Sequence, residues 1–176
     1  SACLIQYADN GGLLPRGACS GGYSFIMTGC PATNMLVSTY MKDLMKKTKP
    51  SHAYEAIKRN HAPGGMMSYE SADDLKFYVK KGYCPGNAGK TLEWAFQDWG
   101  LSRMALRMGK KSDAALYEKR SRAWTPLFNK NIGLILPKKE NGEWLHNDTL
   151  HGQGWVEDNA WHARWSVSHD LPQLVE

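Results

Sequence analysis

The stretch TLEWAFQDWGLSRMALRM, residues 91–108, decides the fold class of this 176-residue chain. Apolar side chains occupy nearly every face of a helix drawn through it. A helix of that kind is buried on most of its sides. Thr91 is placed to cap the start of this helix and Gly109 to end it, while Gly100 weakens the pattern slightly. The stretch therefore predicts a central, mostly buried helix.

Helical patterns continue on both sides of this segment. Pro31 is placed to open a helix running to about Lys47, and Pro50 opens a second, shorter one. A capping-box pattern at Ser71 predicts a helix that ends at Gly82. The remaining predicted helices begin at Ser112, near Asn159 and near Asp170.

One β-hairpin is predicted within this mostly helical sequence. IGLILP, residues 132–137, and GEWLH, residues 142–146, are joined by KKEN with a turn near Asn141 and Gly142. Successive helix pairs joined by loops are typical of an α/α hairpin array, bundle or toroid. The predicted fold class is therefore mainly α with one small β-hairpin, although six or seven helices are few for a closed toroid.

Composition narrows the class of protein. A hydrophobic fraction of 42% and 176 residues predict one globular domain with a sizeable core. The net charge of +5 is spread along the chain, which favours solvated surfaces over a nucleic-acid partner. No apolar run approaches about 18 residues, so no membrane span is expected, and no signal-peptide pattern occurs. The four cysteines lack C-x-x-C spacing, which argues against a zinc or redox motif and leaves disulfides open.

Glu157 is the first candidate for chemistry. It lies beside Asp158, between Trp155 and Trp161. Neighbouring indoles desolvate a carboxyl group and raise its pKa, as a general acid requires. The alternative is a structural carboxylate at a helix start, where Asp158 or Asn159 caps the helix. Local reasoning leaves both interpretations open.

Glu93 is the second candidate, because it lies on the predicted central helix. Gln97 follows it by four residues, so the two share a face. A buried glutamate is either paired, for instance with Arg16 or Arg103, or faces a polar cleft. Both possibilities remain open from the sequence.

His169 and Asp170 form a third candidate group, either binding a ligand or starting the last helix. The histidines lack H-E-x-x-H or comparable spacing, so the sequence supports no metal site. It also contains no G-x-S-x-G, phosphate loop or dinucleotide fingerprint. Carboxylate chemistry on a sugar is the sharpest remaining hypothesis.

Four blocks of sequence then form a recognisable series. They are GGLLPRG at 11–17, KTLEWAFQDW at 90–99, GLILPK at 133–138 and VEDNAWHARWSVSHDLPQLVE at 156–176. The series resembles G-G-W-L-P-R, R-T-L-E-Y-A-Y-D-D-W, G-F-M-R-P and T-E-G-N-A-W-Q-Y-T-W-F-V-P-H-D-V-P-G-L-I. Those motifs belong, in this order, to the catalytic domain of glycoside hydrolase family 92, the calcium-dependent exo-acting α-mannosidases.

The resemblance implies an α-1,2-mannosidase-like hydrolase that removes terminal mannose from glycans with inversion, using one acid and one base. The family's acid lies in its E-G-N-A-W block, which places Glu157 in that role. Matching positions in the same and earlier blocks imply substrate-binding roles or support of the site wall for Trp161, Asn159, His169, Asp170, Glu93 and Arg16.

The resemblance also implies an internal piece of a larger enzyme. The family's base lies in a block with no match here, so residues 1–176 are expected to be part of a six-hairpin α/α toroid and inactive alone. An N-terminal β-sandwich domain and the remaining toroid helices are expected elsewhere. Calcium is the implied cofactor, with no ligand located on a matched position. Mannose-containing glycans are the implied partners, in a periplasmic or secreted setting, and no oligomeric state is predicted.

Two departures from the family pattern carry physical consequences. Asp158 stands where the family has Gly, and a second carboxylate beside Glu157 would raise the pKa of the acid if it points inward. Gln97 stands where the family has the first Asp of D-D-W. The alternatives to an α-mannosidase are a trehalase-like hydrolase or lyase on the same helical scaffold, and a non-catalytic helical interaction module.

Overall fold

The computed structural model describes residues 1–19, 21–69, 71–145, 150 and 152–175. Within these ranges the chain forms eight α-helices: Ala2–Gly11 (α1), Ala32–Met41 (α2), Pro50–Asn60 (α3), Ala72–Lys81 (α4), Ala88–Arg107 (α5), Lys111–Ser121 (α6), Ala160–Ala163 (α7) and Leu171–Val175 (α8). Two short antiparallel strand pairs accompany them: Gly17–Cys19 (β1) with Gly22–Ser24 (β2), and Phe128–Asn129 (β3) with Leu134–Ile135 (β4). The predicted mainly-α fold class is confirmed.

The long helix α5 is the centre of the fold, as its sequence predicts. It packs most extensively against α6 and then against α2. At the crossing with α2, Gly100 leaves room for the side chain of Asn34, which a Cβ at that position would strike. Gly100 is therefore a packing residue rather than a weakness of the helix.

The start of α5 differs from the prediction. Asn87, rather than Thr91, caps the helix, because its side-chain oxygen accepts the backbone N–H of Lys90 at 2.8 Å. Thr91 lies one turn inside, where its hydroxyl accepts the N–H of Cys84 at 2.8 Å. The helix therefore begins one turn earlier than the prediction placed it.

The flanking helices agree with the prediction at three ends and differ at one. α3 begins at Pro50, and α4 has the predicted cap, with Ser71 accepting the N–H of Asp74 at 3.1 Å and Gly82 ending the helix at φ 85°. α2 stops well short of Lys47, because the chain turns through a left-handed residue, Asp43, at φ 56°.

The sequence after Ser112 predicts one aromatic stripe on a single helix, formed at helical spacing by Tyr117, Trp124 and Phe128. In the structure this stripe is divided. α6 ends at Ser121, so Trp124 and Phe128 lie beyond it, on either side of a 3-10 turn at Thr125–Leu127. Both rings still contact each other edge to face, with centroids 6.1 Å apart. The spacing correctly predicted shared packing, but not one continuous helix.

The predicted hairpin forms only in part. β4 pairs with the preceding β3 instead of with the segment after the turn, because the chain reverses between them at Gly133, φ 67°. The predicted partners meet in a single bridge between Lys138 and Trp144, closed by a turn at Gly142. The β1–β2 pair lies within residues 10–30, a glycine-rich stretch whose composition predicts irregular structure rather than strands. In the described part of the chain, no helix is long and apolar enough to cross a membrane.

Candidate functional site

A cavity of about 380 Å³ lies where three segments meet. Its walls come from the loop at residues 27–31, from the first turns of α5, and from residues 156–166 around α7. Two carboxyl-bearing residues, Glu93 and Asp158, line it together with apolar side chains. A largely apolar concave site with a few polar groups is what a small-ligand pocket needs.

Glu93 lies on the α5 wall without an ion-pair partner among the described residues. Burial raises the pKa of its carboxyl group, opposed by a hydrogen bond from Gln97 and by the positive charge of Arg16. Arg103, the other basic residue considered as a partner, forms an ion pair with Glu118. Of the two possibilities that the sequence left open, the structure has Glu93 facing a cleft.

Gln97 fixes the orientation of the Glu93 carboxyl group. Its amide oxygen accepts the backbone N–H of Cys30 at 2.7 Å, so its NH₂ group faces Glu93 and donates to Oε1. The shared face predicted for Glu93 and Gln97 is confirmed by this bond. A glutamine thus stands beside Glu93 as a neutral donor where the family motif has an acid, which avoids a like-charge contact.

Gly29 allows the loop at residues 27–31 to approach Glu93 and Gln97 on α5 closely. It adopts φ 73°, and a Cβ there would lie 2.6 Å from both Gln97 Nε2 and Glu93 Cγ. Only a residue without a side chain fits this backbone and this contact together. The loop and helix α5 are therefore in direct contact behind the cavity wall.

Arg16 lies behind the same loop and is buried. Its Nε donates to the carbonyl of Gly29 at 2.8 Å, and its Nη1 donates to the carbonyls of Phe25 and Met27 at 3.1 and 2.8 Å. Its Nη2 donates to the carbonyl of Met66 at 2.9 Å. Arg16 does not line the cavity, and what it contacts is the backbone that shapes the wall.

Glu157 is held at the rim of the cavity in an unusual backbone conformation. Its flanking residues Val156 and Asp158 line the cavity, while its own side chain is exposed. It adopts φ 52°, a left-handed conformation that costs a non-glycine residue about 1 kcal/mol. Of the three non-glycine residues with positive φ in the described ranges, Met27 lines this cavity and Glu157 lies between two residues that line it. Backbone strain of this kind concentrates at functional sites.

Asn159 and Asp158 organise the start of α7. The side-chain oxygen of Asn159 accepts the N–H groups of Trp161 and His162 at 3.0 and 3.1 Å, which is a helix cap. Asp158 accepts the N–H of Asn159 at 2.8 Å and lies 3.5 Å from His162 Nδ1. The cap that the sequence offered as an alternative is thus present, formed by Asn159, and it leaves Glu157 outside the hydrogen-bonded helix start.

The remaining candidates lie around this frame. Trp161 is 54% exposed beside the cavity-lining segment. His169 packs against Phe96, which lines the cavity, and its Nε2 lies 3.0 Å from the carbonyl of Ser121, while burial lowers its pKa. Asp170 accepts the indole N–H of Trp124 at 3.1 Å. Neither His169 nor Asp170 lines the cavity.

Sequence reasoning missed the loop at residues 27–31 as a wall of this site. The signals available were its glycine, Gly29, and the Arg16 that precedes the loop, but neither indicates which carbonyls the arginine reaches. Among residues 1–19, 21–69, 71–145, 150 and 152–175, no three His, Cys, Asp or Glu side chains are grouped so that they could hold a metal ion.

Comparison with solved structures places this architecture among the mannosidases of one hydrolase family. The chain superimposes with a TM-score of 0.88 and 28% identity on a family GH92 inverting mannosidase from Bacteroides thetaiotaomicron, covering 98% of this chain and 24% of that one. A family GH92 α-mannosidase from the same bacterium matches with a TM-score of 0.84 at 22% identity, covering 99% and 24% of the two chains.

The family follows from the sequence itself. The family model of the glycosyl hydrolase family 92 catalytic domain matches residues 1–176, so the chain belongs to that family. An uncharacterized secreted glycosidase of Arthroderma benhamiae is 23% identical over 213 residues, which covers 98% of this chain and 27% of the relative. The chain thus spans about a quarter of the length of the relatives it matches. The resemblance recognised in the four sequence blocks is confirmed.

Proposed function

We propose that this chain supplies the acid side of the active site in an inverting α-mannosidase, one that removes terminal α-1,2-linked mannose from glycans. Family membership and the likeness to an inverting mannosidase support the reaction class. The observation that carries the residue assignment is the left-handed backbone at Glu157 on the rim of a cavity with two carboxyl groups.

In this proposal Glu157 is the general acid. It donates its proton to the glycosidic oxygen as the bond from that oxygen to the anomeric carbon breaks. A base outside the described residues removes a proton from the water that attacks the opposite face of the sugar. Inverting enzymes keep the two carboxyl groups about 6.5–9.5 Å apart to leave room for that water.

The other candidates divide by what they contact. Glu93 lines the cavity and is placed to bind a sugar hydroxyl, and the exposed indole of Trp161 is placed to pack against a sugar ring. Asn159 and Arg16 act through the loops that they hold. His169 supports Phe96, and Asp170 fixes the nearby Trp124.

Calcium dependence is part of the proposal only through the family. No calcium ligand is assigned to any of the described residues, among which no three His, Cys, Asp or Glu side chains form a metal-binding group. No step of the mechanism above passes through a metal ion. We also propose that residues 1–176 are part of a larger helical toroid and that the protein is periplasmic or secreted; the secreted fungal glycosidase supports the second of these locations.

The test uses Glu157→Gln in the full-length gene product. We expect kcat/KM on mannobiose to fall about 10²–10⁴-fold, because general acid catalysis contributes that much. Hydrolysis of 2,4-dinitrophenyl α-mannoside should change little, since that leaving group needs no proton. Glu143→Gln, an exposed carboxyl on the 139–143 turn, is the matched control and should leave both substrates unaffected. Full activity of Glu157→Gln on mannobiose would contradict the assignment.

A further inference from the structure

Three consecutive large apolar residues, Phe25, Ile26 and Met27, are exposed on the loop beside the cavity. Their exposed fractions are 39%, 75% and 46%. Tyr69, itself 55% exposed, stacks on Phe25 with ring centroids 4.0 Å apart. These four residues are called the apolar platform below. A run of exposed apolar side chains lowers solubility and usually marks a contact surface.

The platform is built on a rigid support. The same guanidinium of Arg16 bonds the carbonyls of Phe25 and Met27 on one segment and that of Met66 on the other. Met66 opens the 3-10 turn Met66–Ser68, which Tyr69 directly follows. One buried side chain thus fixes both segments relative to each other. A surface held in this way binds without paying the entropy of ordering a mobile loop.

The platform continues the wall of the cavity. Met27 belongs to both, because it lines the cavity and is itself exposed. Its φ of 68° is, like that of Glu157, a left-handed conformation of a non-glycine residue. Thr28 follows on the cavity wall, and its buried hydroxyl oxygen has no partner among the described residues. A ligand that fills the cavity and extends past Met27 would meet Phe25 and Ile26 next.

We propose that the apolar platform receives the leaving group of the substrate, the ring attached through the oxygen that Glu157 protonates. This assignment rests on the proposed function. A sugar or aryl ring presents an apolar face to the platform, and aromatic side chains are suited to that contact. Arg16 is then a positioning residue, acting through the carbonyls that it holds.

The experiment compares leaving groups of different size in the full-length protein. The leaving group is a single atom in α-mannosyl fluoride, a ring that needs no proton in 2,4-dinitrophenyl α-mannoside, and a sugar in mannobiose. Phe25→Ala and Ile26→Ala should lower kcat/KM for both ring substrates about tenfold more than for the fluoride, a factor equal to about 1.4 kcal/mol. Leu106→Ala is the control, because Leu106 is an apolar residue on α5 whose exposed fraction, 55%, lies between those of Phe25 and Ile26, and it should alter no ratio.

This pattern separates the platform from the acid. The effect of Glu157→Gln depends on the basicity of the leaving group, so hydrolysis of the dinitrophenyl substrate changes little. The effect of the platform variants depends on the size of the leaving group, so hydrolysis of the dinitrophenyl substrate falls. Arg16→Lys should shift the same ring-to-fluoride ratio, since a lysine has too few fixed donors to hold four carbonyls. If Arg16 had only a structural role, the variant would lower kcat/KM for all three substrates alike.

Two results would overturn the assignment while the proposed function stands. One is an unchanged ratio in Phe25→Ala and Ile26→Ala with an active enzyme. The other is protection of Met27 and Tyr69 from hydroxyl-radical oxidation in the ligand-free full-length protein, which would mean that other polypeptide covers the platform. A wild-type enzyme inactive on all three mannosides would overturn the proposed function, and this assignment with it.

Discussion

Helix α5 carries two acids, five residues apart, that meet opposite environments. Asp98 is fully buried and accepts three bonds: from His61 Nδ1 at 2.8 Å, from the Tyr78 hydroxyl at 2.9 Å and from Arg120 Nε at 2.8 Å. Glu93 lines a cavity, and Gln97 is its one hydrogen-bond partner among the described residues. Both side chains are carboxylic acids on the same helix, and the two differ most in what surrounds each carboxyl group.

This difference separates a structural acid from a candidate functional one. The bonds around Asp98 occupy both its oxygens, and two of the partners carry or can carry positive charge, so the cost of burying the carboxylate is offset within the fold. Glu93 has one carboxyl oxygen without a hydrogen-bond partner among the described residues, and its pKa is raised by burial. An incompletely satisfied acid beside a cavity is a site for a ligand to complete.

Breaking the Asp98 group should give the largest effect. In Asp98→Asn the new NH₂ group meets the donors of Tyr78 and Arg120, and the buried guanidinium loses its counter-charge. We expect the free energy of unfolding to fall by about 3–5 kcal/mol, measured by urea titration. Asp73→Asn removes an exposed acid paired with Lys76 and should leave the midpoint unchanged. An equally small change at Asp98 would remove the contrast drawn above.

The contact behind Glu93 should give the next largest effect. Gly29→Ala places a methyl group 2.6 Å from Gln97 and Glu93 and strains φ, so we expect a loss of about 3 kcal/mol in unfolding free energy. Gly12→Ala shares the positive φ, 84°, but its Cβ meets nothing within 4 Å. It should cost about 1 kcal/mol, the strain alone. Equal losses in the two variants would mean that the loop yields to the methyl group.

The features that the sequence predicted are those that depend on residues close together in the chain. The buried face of α5, the Ser71 cap and the contact of Glu93 with Gln97 depend on residues at most a few positions apart, and local periodicity shows them. The bonds of Arg16 to carbonyls up to 50 residues away depend on how the chain folds back. Nothing in the local pattern indicates those partners. The cavity wall at residues 27–31 was missed for the same reason.

A comparison of two helix caps tests whether the loop of Glu157 contributes to activity beyond its contribution to stability. Ser71→Ala and Asn159→Ala each remove a side-chain cap and should each cost about 1 kcal/mol of stability. Only Asn159→Ala should also lower kcat/KM on mannobiose in the full-length protein, because its cap fixes the loop that carries the proposed acid. Matching losses of activity in both variants would mean that stability alone accounts for the effect.

The smallest expected effect is a change in how stability depends on pH, produced by Glu93→Gln. Because burial raises the folded-state pKa of Glu93 above its ordinary value of 4.5, its contribution to stability is complete below that value. The contribution is lost as pH rises through the folded-state pKa. The variant should therefore gain stability relative to wild type as the pH rises above 4.5, measured as the shift in urea midpoint. Its amide keeps the acceptor for Gln97, so a gain that does not vary with pH would point to altered packing rather than to the charge.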